Sequence, residues 1–299
     1  MGWLVNFRED RRHPLLTETI VGRSPAADLR LGHSFVSSVH CAITWNRGDW
    51  GVRDLGSHNG TAVNGELIPP KTRRRVRAGD EISFGQATST WTLSDDGEPQ
   101  PIATGPDDAI IVGERGLLVL PDAQDPIATV YRGAVGPWRL ELPDSERETQ
   151  DMDSLSIHDA TWTLRLPSPR ANTSASVNPQ QALSLQNAAL CVCVAKGDRG
   201  GSVVVQTEDK RFSFPLGATV DILRLLAEAR VNTPGGWVDR ERLLTELAMT
   251  GNRLNVAVFR LRRQFAEAGF IDAVQIVERS RRQLRLGTDR VTLESPDAP

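Results

Sequence analysis

Residues 1–95 hold no stretch in which apolar side chains recur every third or fourth position, and this excludes a helical fold for that part of the chain. Its apolar residues come in short runs: Gly2–Phe7, Thr19–Val21, His40–Trp45, Gly51–Asp54, Glu81–Phe84 and Thr90–Leu93. Turn formers stand between them, at Asn46–Asp49, Asn59-Gly60 and Asn64-Gly65. Strands this short cannot bury a face alone, so they must stack as two antiparallel sheets. The pattern is that of an all-β sandwich.

Two segments rich in Pro, Ser, Asp and Gly, Ser94–Asp108 and Pro167–Gln181, read as linkers. They divide the chain into units spanning 1–95, 109–168 and 183–294. The middle unit is strand-like and weakly repeats the first. Ile111-Val112-Gly113-Glu114 matches Ile20-Val21-Gly22-Arg23, Trp138 matches Trp50, and Asp153–Leu164 matches Asp80–Leu93. A chance likeness between strands ending in Trp-Thr-Leu is the other explanation. The third unit is mixed. Strands at Ala188–Ala195, Ser202–Thr207 and Lys210–Phe214 precede helical patterns at Thr219–Ala229, Asp239–Met249 and Arg253–Ala268. In the last of these, Leu254, Val258, Leu261 and Phe265 fall on one face, and Asp239 suits an N-cap for the second. A strand pair, Ala273–Val277 and Gln283–Leu286, brackets a charged tip.

The 299 residues suffice for two or three cores, and 39% apolar with 24% charged residues is ordinary for a globular protein. No run approaches ~18 apolar residues, so no membrane partner is expected. Met1–Asp10 lacks the features of a signal peptide. Three cysteines make no paired framework, and a reducing cytoplasm is the expected location. Cys191 and Cys193 lie two apart in a strand and read as packing residues on one face; no metal or cofactor is expected. Net charge is −3, yet residues 251–290 carry nine arginines against four acids, which suits a polyanionic partner there.

Four elements of the first unit come in a telling order: Gly22-Arg23, then Ser37 with His40, then Ser57-His58-Asn59-Gly60-Thr61, then Val63-Asn64-Gly65. In order and spacing, Trp3–Leu93 resembles a forkhead-associated (FHA) domain, a sandwich that reads phosphothreonine. The chemistry of Arg23 and Ser37 agrees: a phosphate with about −1.5 to −2 charges wants a forked guanidinium and a short hydroxyl donor. The resemblance implies that Arg23 and Ser37 grip the phosphate, that Asn59 holds the peptide backbone and that Asn64 shapes the same surface. Ser38 and His58 complete the phosphopeptide-binding set, although the family more often has Arg, Lys or Asn at the first and Thr or Ser at the second. Gly22, His40 and Gly60 are structural there. In the proposed repeat, Glu114 and Asp125 stand for Arg23 and Ser37, so the middle unit is expected to pack or space rather than to bind phosphate.

The third unit, over Leu185–Glu294, resembles the winged helix-turn-helix DNA-binding domain of bacterial response regulators, with Leu254–Phe265 following the recognition-helix pattern. The resemblance implies that this helix enters the major groove. Arg253, Asn255, Arg260, Arg262 and Arg263 are the helix candidates for DNA, with Arg260 for base contact. Arg279, Arg281 and Arg282 suit phosphate contacts from the hairpin. Ala257 and Phe259 stand where that family commonly has polar residues.

The fold class expected is therefore multidomain: an all-β FHA sandwich, a degenerate FHA-like β unit and an α+β winged helix. No catalytic motif is present, so no enzyme is expected. The function expected is phosphothreonine-peptide binding in a transcriptional regulator, with a phosphorylated protein or Ser/Thr kinase and double-stranded DNA as partners. The alternative is an adaptor whose winged helix binds protein. The oligomeric state is not legible in the sequence.

Overall fold

A computed structural model of the chain describes residues 1–133, 136–143, 145–168, 183–194, 201–207, 210–215 and 219–294. They form two compact units, one from Met1–Gln100 with the described part of Arg165–Val177, and one from Pro101–Leu164 with the described part of Asn178–Pro299.

The first unit has eleven strands: β1 (Trp3–Asn6), β2 (Arg11–Pro14), β3 (Glu18–Gly22), β4 (Leu29–Arg30), β5 (Cys41–Asn46), β6 (Asp49–Asp54), β7 (Thr61–Val63), β8 (Glu66–Leu67), β9 (Arg73–Val76), β10 (Glu81–Phe84) and β11 (Thr90–Asp95). They make two sheets, ordered β2-β1-β11-β10-β7-β8 and β4-β3-β5-β6-β9. Alternation places one face of each strand inside: in β10, Ile82 and Phe84 are buried while Glu81 is exposed. Leu4, Ile43, Trp50, Val52, Trp91 and Leu93 fill the core between the sheets. This is the sandwich expected from the run lengths.

The second unit begins with eight strands. They are β12 (Ile102–Thr104), β13 (Ile110–Val112), β14 (Leu117–Leu120), β15 (Ala128–Tyr131), β16 (Trp138–Leu142), β17 (Ser145–Thr149), β18 (Ser154–Ile157) and β19 (Ala160–Arg165). The first expected linker is thus partly strand: Ile102 and Ala103 are buried, and Pro101 accepts the Gly113 N–H at 2.7 Å. Of the second expected linker, residues 169–181 lie outside the described residues.

These eight strands make sheets ordered β13-β12-β19-β18 and β14-β15-β16-β17. The first has the order of β2-β1-β11-β10 and the second that of β3-β5-β6-β9. Register agrees too. Ile82 pairs with Trp91 as Leu155 pairs with Trp162. Asp80 accepts the Arg77 N–H at 2.8 Å, and Asp153 the Gln150 N–H at 3.0 Å. Among the described residues, no strand of this unit takes the places of β4, β7 and β8. The residue matching expected around Glu114 fails: β13 and the residues after it take the place of β2, not β3. The position after Val21 corresponds to that after Leu120, because each carbonyl accepts the N–H just before the next strand, His40 at 2.9 Å and Ile127 at 2.8 Å. Pro121 therefore follows where Gly22 stands.

The remaining strands are β20 (Ala189–Val194), β21 (Gly201–Gln206), β22 (Arg211–Pro215), β23 (Val238–Asp239), β24 (Val277–Ser280), β25 (Gln283–Leu286) and β26 (Val291–Glu294). Three helices accompany them: α1 (Val220–Asn232), α2 (Arg240–Glu246) and α3 (Gly251–Glu267). Asp239 caps α2 by accepting the Glu241 N–H at 2.9 Å, and Thr250 caps α3. Leu254, Val258, Leu261 and Phe265 bury the expected face of α3 against α1 residues such as Leu226. Ala273–Ile276, expected as strand, is a 3-10 turn before β24.

A second face of α3 is also covered. Phe259 packs with Leu117, Val119, Tyr131 and Val274. Every residue of β14 and β15 is consequently buried, on both sides of the sheet. Among the described residues, no helix is long and apolar enough to cross a membrane.

Candidate functional site

Three loops of the first unit meet at one end of the sandwich. Gly22 permits the closest approach: a Cβ there would lie 2.2 Å from the Ser38 carbonyl oxygen. With that side chain absent, Arg23 N–H donates to Ser37 O at 2.9 Å and Ser24 N–H to Ser38 O at 3.1 Å. The Arg23 side chain is exposed, and its Nε donates to Val36 O at 3.2 Å. That bond fixes the guanidinium and leaves its two terminal nitrogens for a ligand. Ser37 Oγ accepts the His58 N–H at 3.0 Å, so its own hydroxyl proton is available.

His40 lies buried beneath these groups. Its Nδ1 accepts the Ser37 N–H at 3.1 Å, so the proton sits on Nε2, which donates to Gly60 O at 3.1 Å. Burial lowers its pKa, outweighing the Gly60 bond and the Asp54 charge, and the ring is neutral. Gly60 has φ +80, a conformation open to glycine. On the third loop, Asn59 is exposed and its Nδ2 donates to Phe35 O at 2.8 Å. Ser38 and His58 are exposed beside them. The structure thus brings Arg23, Ser37, Ser38, His58 and Asn59 together.

Asn64 stands apart from that set. Its amide donates to Asp80 Oδ1 at 2.8 Å and its carbonyl accepts the Glu81 N–H at 2.9 Å, so both ends hold the turn before β10. The sequence reading also missed Asp54. Its carboxylate accepts from Gly56 N–H, Ser57 N–H, Ser57 Oγ and Thr61 Oγ1 at 2.6–2.9 Å, which shapes the 56–61 loop. Burial alone would raise its pKa, but these bonds hold it below the usual carboxylate range. An Asp three residues before Ser57, with Gly56 between, was the available signal.

Residues 19–85 match the family model of the FHA domain. The first unit is an FHA domain. Over 68 residues it is 40% identical to the oxoglutarate dehydrogenase inhibitor of Corynebacterium glutamicum, a match covering 23% of this chain and 46% of that protein. Over 54 residues it is 39% identical to an FHA domain-containing protein of Arabidopsis thaliana, covering 18% and 14% of the two chains. The chain therefore spans less than half the length of either relative. A solved FHA domain, described for phosphothreonine-dependent interactions, is 26% identical with a TM-score of 0.28, covering 31% of this chain and 95% of the other.

The candidates for DNA contact divide sharply. Arg262 and Arg279, expected at a DNA surface, are buried instead, and Glu141 of β16 holds both, at 2.8 and 3.2 Å. Arg262 also donates to Val274 O and Val277 O, and Arg279 to Leu142 O. Burial would raise the Glu141 carboxyl, but the two arginines hold it below its ordinary pKa. Asn255 is half-buried and accepts from Arg279 at 3.4 Å. Arg263 is exposed but pairs with Glu267 at 2.8 Å and Glu114 at 3.4 Å. Arg253, Arg260, Arg281 and Arg282 remain exposed.

Proposed function

We propose that the chain is a phosphothreonine-peptide-binding signalling adaptor whose partner is a phosphorylated protein or a Ser/Thr kinase. The observation that carries this reading is the backbone bond of 2.9 Å between Arg23 and Ser37, which puts a fixed guanidinium beside a free hydroxyl at one loop cluster. A doubly charged ester would take the Arg23 fork and the Ser37 hydroxyl at once, with the Asn59 side chain left for the peptide backbone. Titration of the full chain with a phosphothreonine peptide library tests it. Arg23→Ala should weaken binding by about tenfold to a hundredfold, the value of a charge-assisted hydrogen bond; equal binding by wild type and variant would sink the reading.

We read the middle β-unit as a degenerate FHA copy without a ligand site, on the support of its strand order and register. The C-terminal part is read as a winged helix-turn-helix used against protein. The order of three helices and hairpin supports the first half of that reading. The occupation of α3 by Phe259, Arg262 and their β-unit partners supports the second. A transcriptional regulator would turn α3 to the major groove, and two of the side chains expected there, Arg262 and Asn255, are instead engaged within the chain. A gel-shift series from low to high salt decides between them: the adaptor predicts no retained complex at any salt, whereas a steep salt slope would restore the regulator.

A further inference from the structure

We propose that Cys191 and Cys193 form a redox pair, two thiols that hydrogen peroxide converts reversibly to one intrachain disulfide. Both sit in β20, where residues two apart project from one face. Leu190 and Val192 of the same strand are buried in the core, so the cysteines take the outer face. Each is partly exposed, and their sulfur atoms stand 3.6 Å apart. Cys41 differs in every respect: it lies in the FHA core, fully buried, and burial pushes its thiol far up. It stays protonated and serves as an internal standard.

The chemistry closes without another cofactor. A thiolate of the pair attacks one peroxide oxygen; an S–O bond forms, the O–O bond breaks, and hydroxide leaves and is protonated to water. The neighbouring thiolate then attacks that sulfur; the S–S bond forms, the S–O bond breaks, and a second hydroxide leaves as water. Two thiols have lost two electrons and one peroxide has become two waters. A resolving sulfur held at 3.6 Å makes the second step faster than further oxidation of the sulfenic acid. Extended backbone sets the two Cα atoms roughly 6.6 Å apart, at the long end of what a disulfide spans. The closed bond is therefore strained, and cellular thiols reopen it readily.

The test uses the full chain and stoichiometric hydrogen peroxide. Intact-mass spectrometry should show the loss of two hydrogens, reversed by dithiothreitol. Native alkylation with iodoacetamide should find two reactive cysteines before oxidation and none after, with Cys41 unlabelled throughout. Cys193→Ser should instead stop at a sulfenic acid on Cys191 that dimedone traps. Oxygen added to either cysteine of the unsubstituted chain without loss of hydrogen, a disulfide between two chains, or no reaction at all would overturn the proposal.

Discussion

Between β3 and β5 of the FHA domain runs a segment of residues 23–40, carrying Arg23, Ser37 and His40; at the same place in the second β-unit, residues 121–127 join β14 to β15, opening with Pro121. The strands on either side keep order and register, and the loop tips do not. The outer sheet faces differ in the opposite sense. Arg53 of β6 is exposed, while Glu141, at the corresponding position of β16, is buried under α3 with two arginines. A sandwich core therefore leaves two surfaces free to change separately. One β-unit has its specialised surface at the loops and the other on the sheet.

The largest expected effect tests the sheet faces. Glu141→Ala leaves two buried guanidinium groups uncompensated and should destabilise the second unit by about 3–5 kcal/mol in chemical denaturation. Arg53→Ala should stay within about 0.5 kcal/mol. Similar costs for both would erase the distinction.

Acid should separate the units next. Burial lowers the pKa of His13 to about 4, and burial likewise lowers that of His40. Above pH 6.5 both are neutral whether folded or not, and their contribution is complete. As pH falls from 6.5 toward 4 the unfolded chain gains protons that the folded FHA domain resists, and stability drops by on the order of 2 kcal/mol. The second β-unit holds only His158, which is exposed. Amide exchange measured between pH 6.5 and 5.5, above the range in which the depressed carboxylates Glu141 and Asp153 begin to cost stability, should show the loss in the FHA domain alone; equal losses there would contradict it.

The smallest effect tests what the two regions share. Asp80 and Asp153 each accept a turn N–H and one side-chain donor, Asn64 or Thr149. Replacing either by Ala should cost about 1 kcal/mol. A cost confined to one of them would show that the common turn is not equally used.

Much of this was legible in the sequence. The ordered motifs located the loop cluster because Gly22, Arg23 and Ser37 stand where the backbones approach most closely, at positions that spacing preserves. The Trp-Thr-Leu ending placed β19 against β11 in the right register. The Ile-Val-Gly match failed because generic strand residues recur in neighbouring strands, and only the hydrogen bonds separate β13 from β14. The buried arginines were hidden for another reason: Glu141 precedes Arg262 by 121 positions, and no local pattern pairs them. One clue was available. Leu117-Leu118-Val119-Leu120 lacks the alternation of a half-solvated strand, which signals cover on both faces.

His40 bears on rates as well as on shape. An imidazole wedged between the Ser37 amide and the Gly60 carbonyl keeps two rims at a constant gap before any peptide arrives. On the proposed reading, capture of a phosphopeptide would involve no closing motion, its speed would be set by diffusion and by the pull of Arg23 on the dianion, and added salt would slow arrival without leaving anything to tighten.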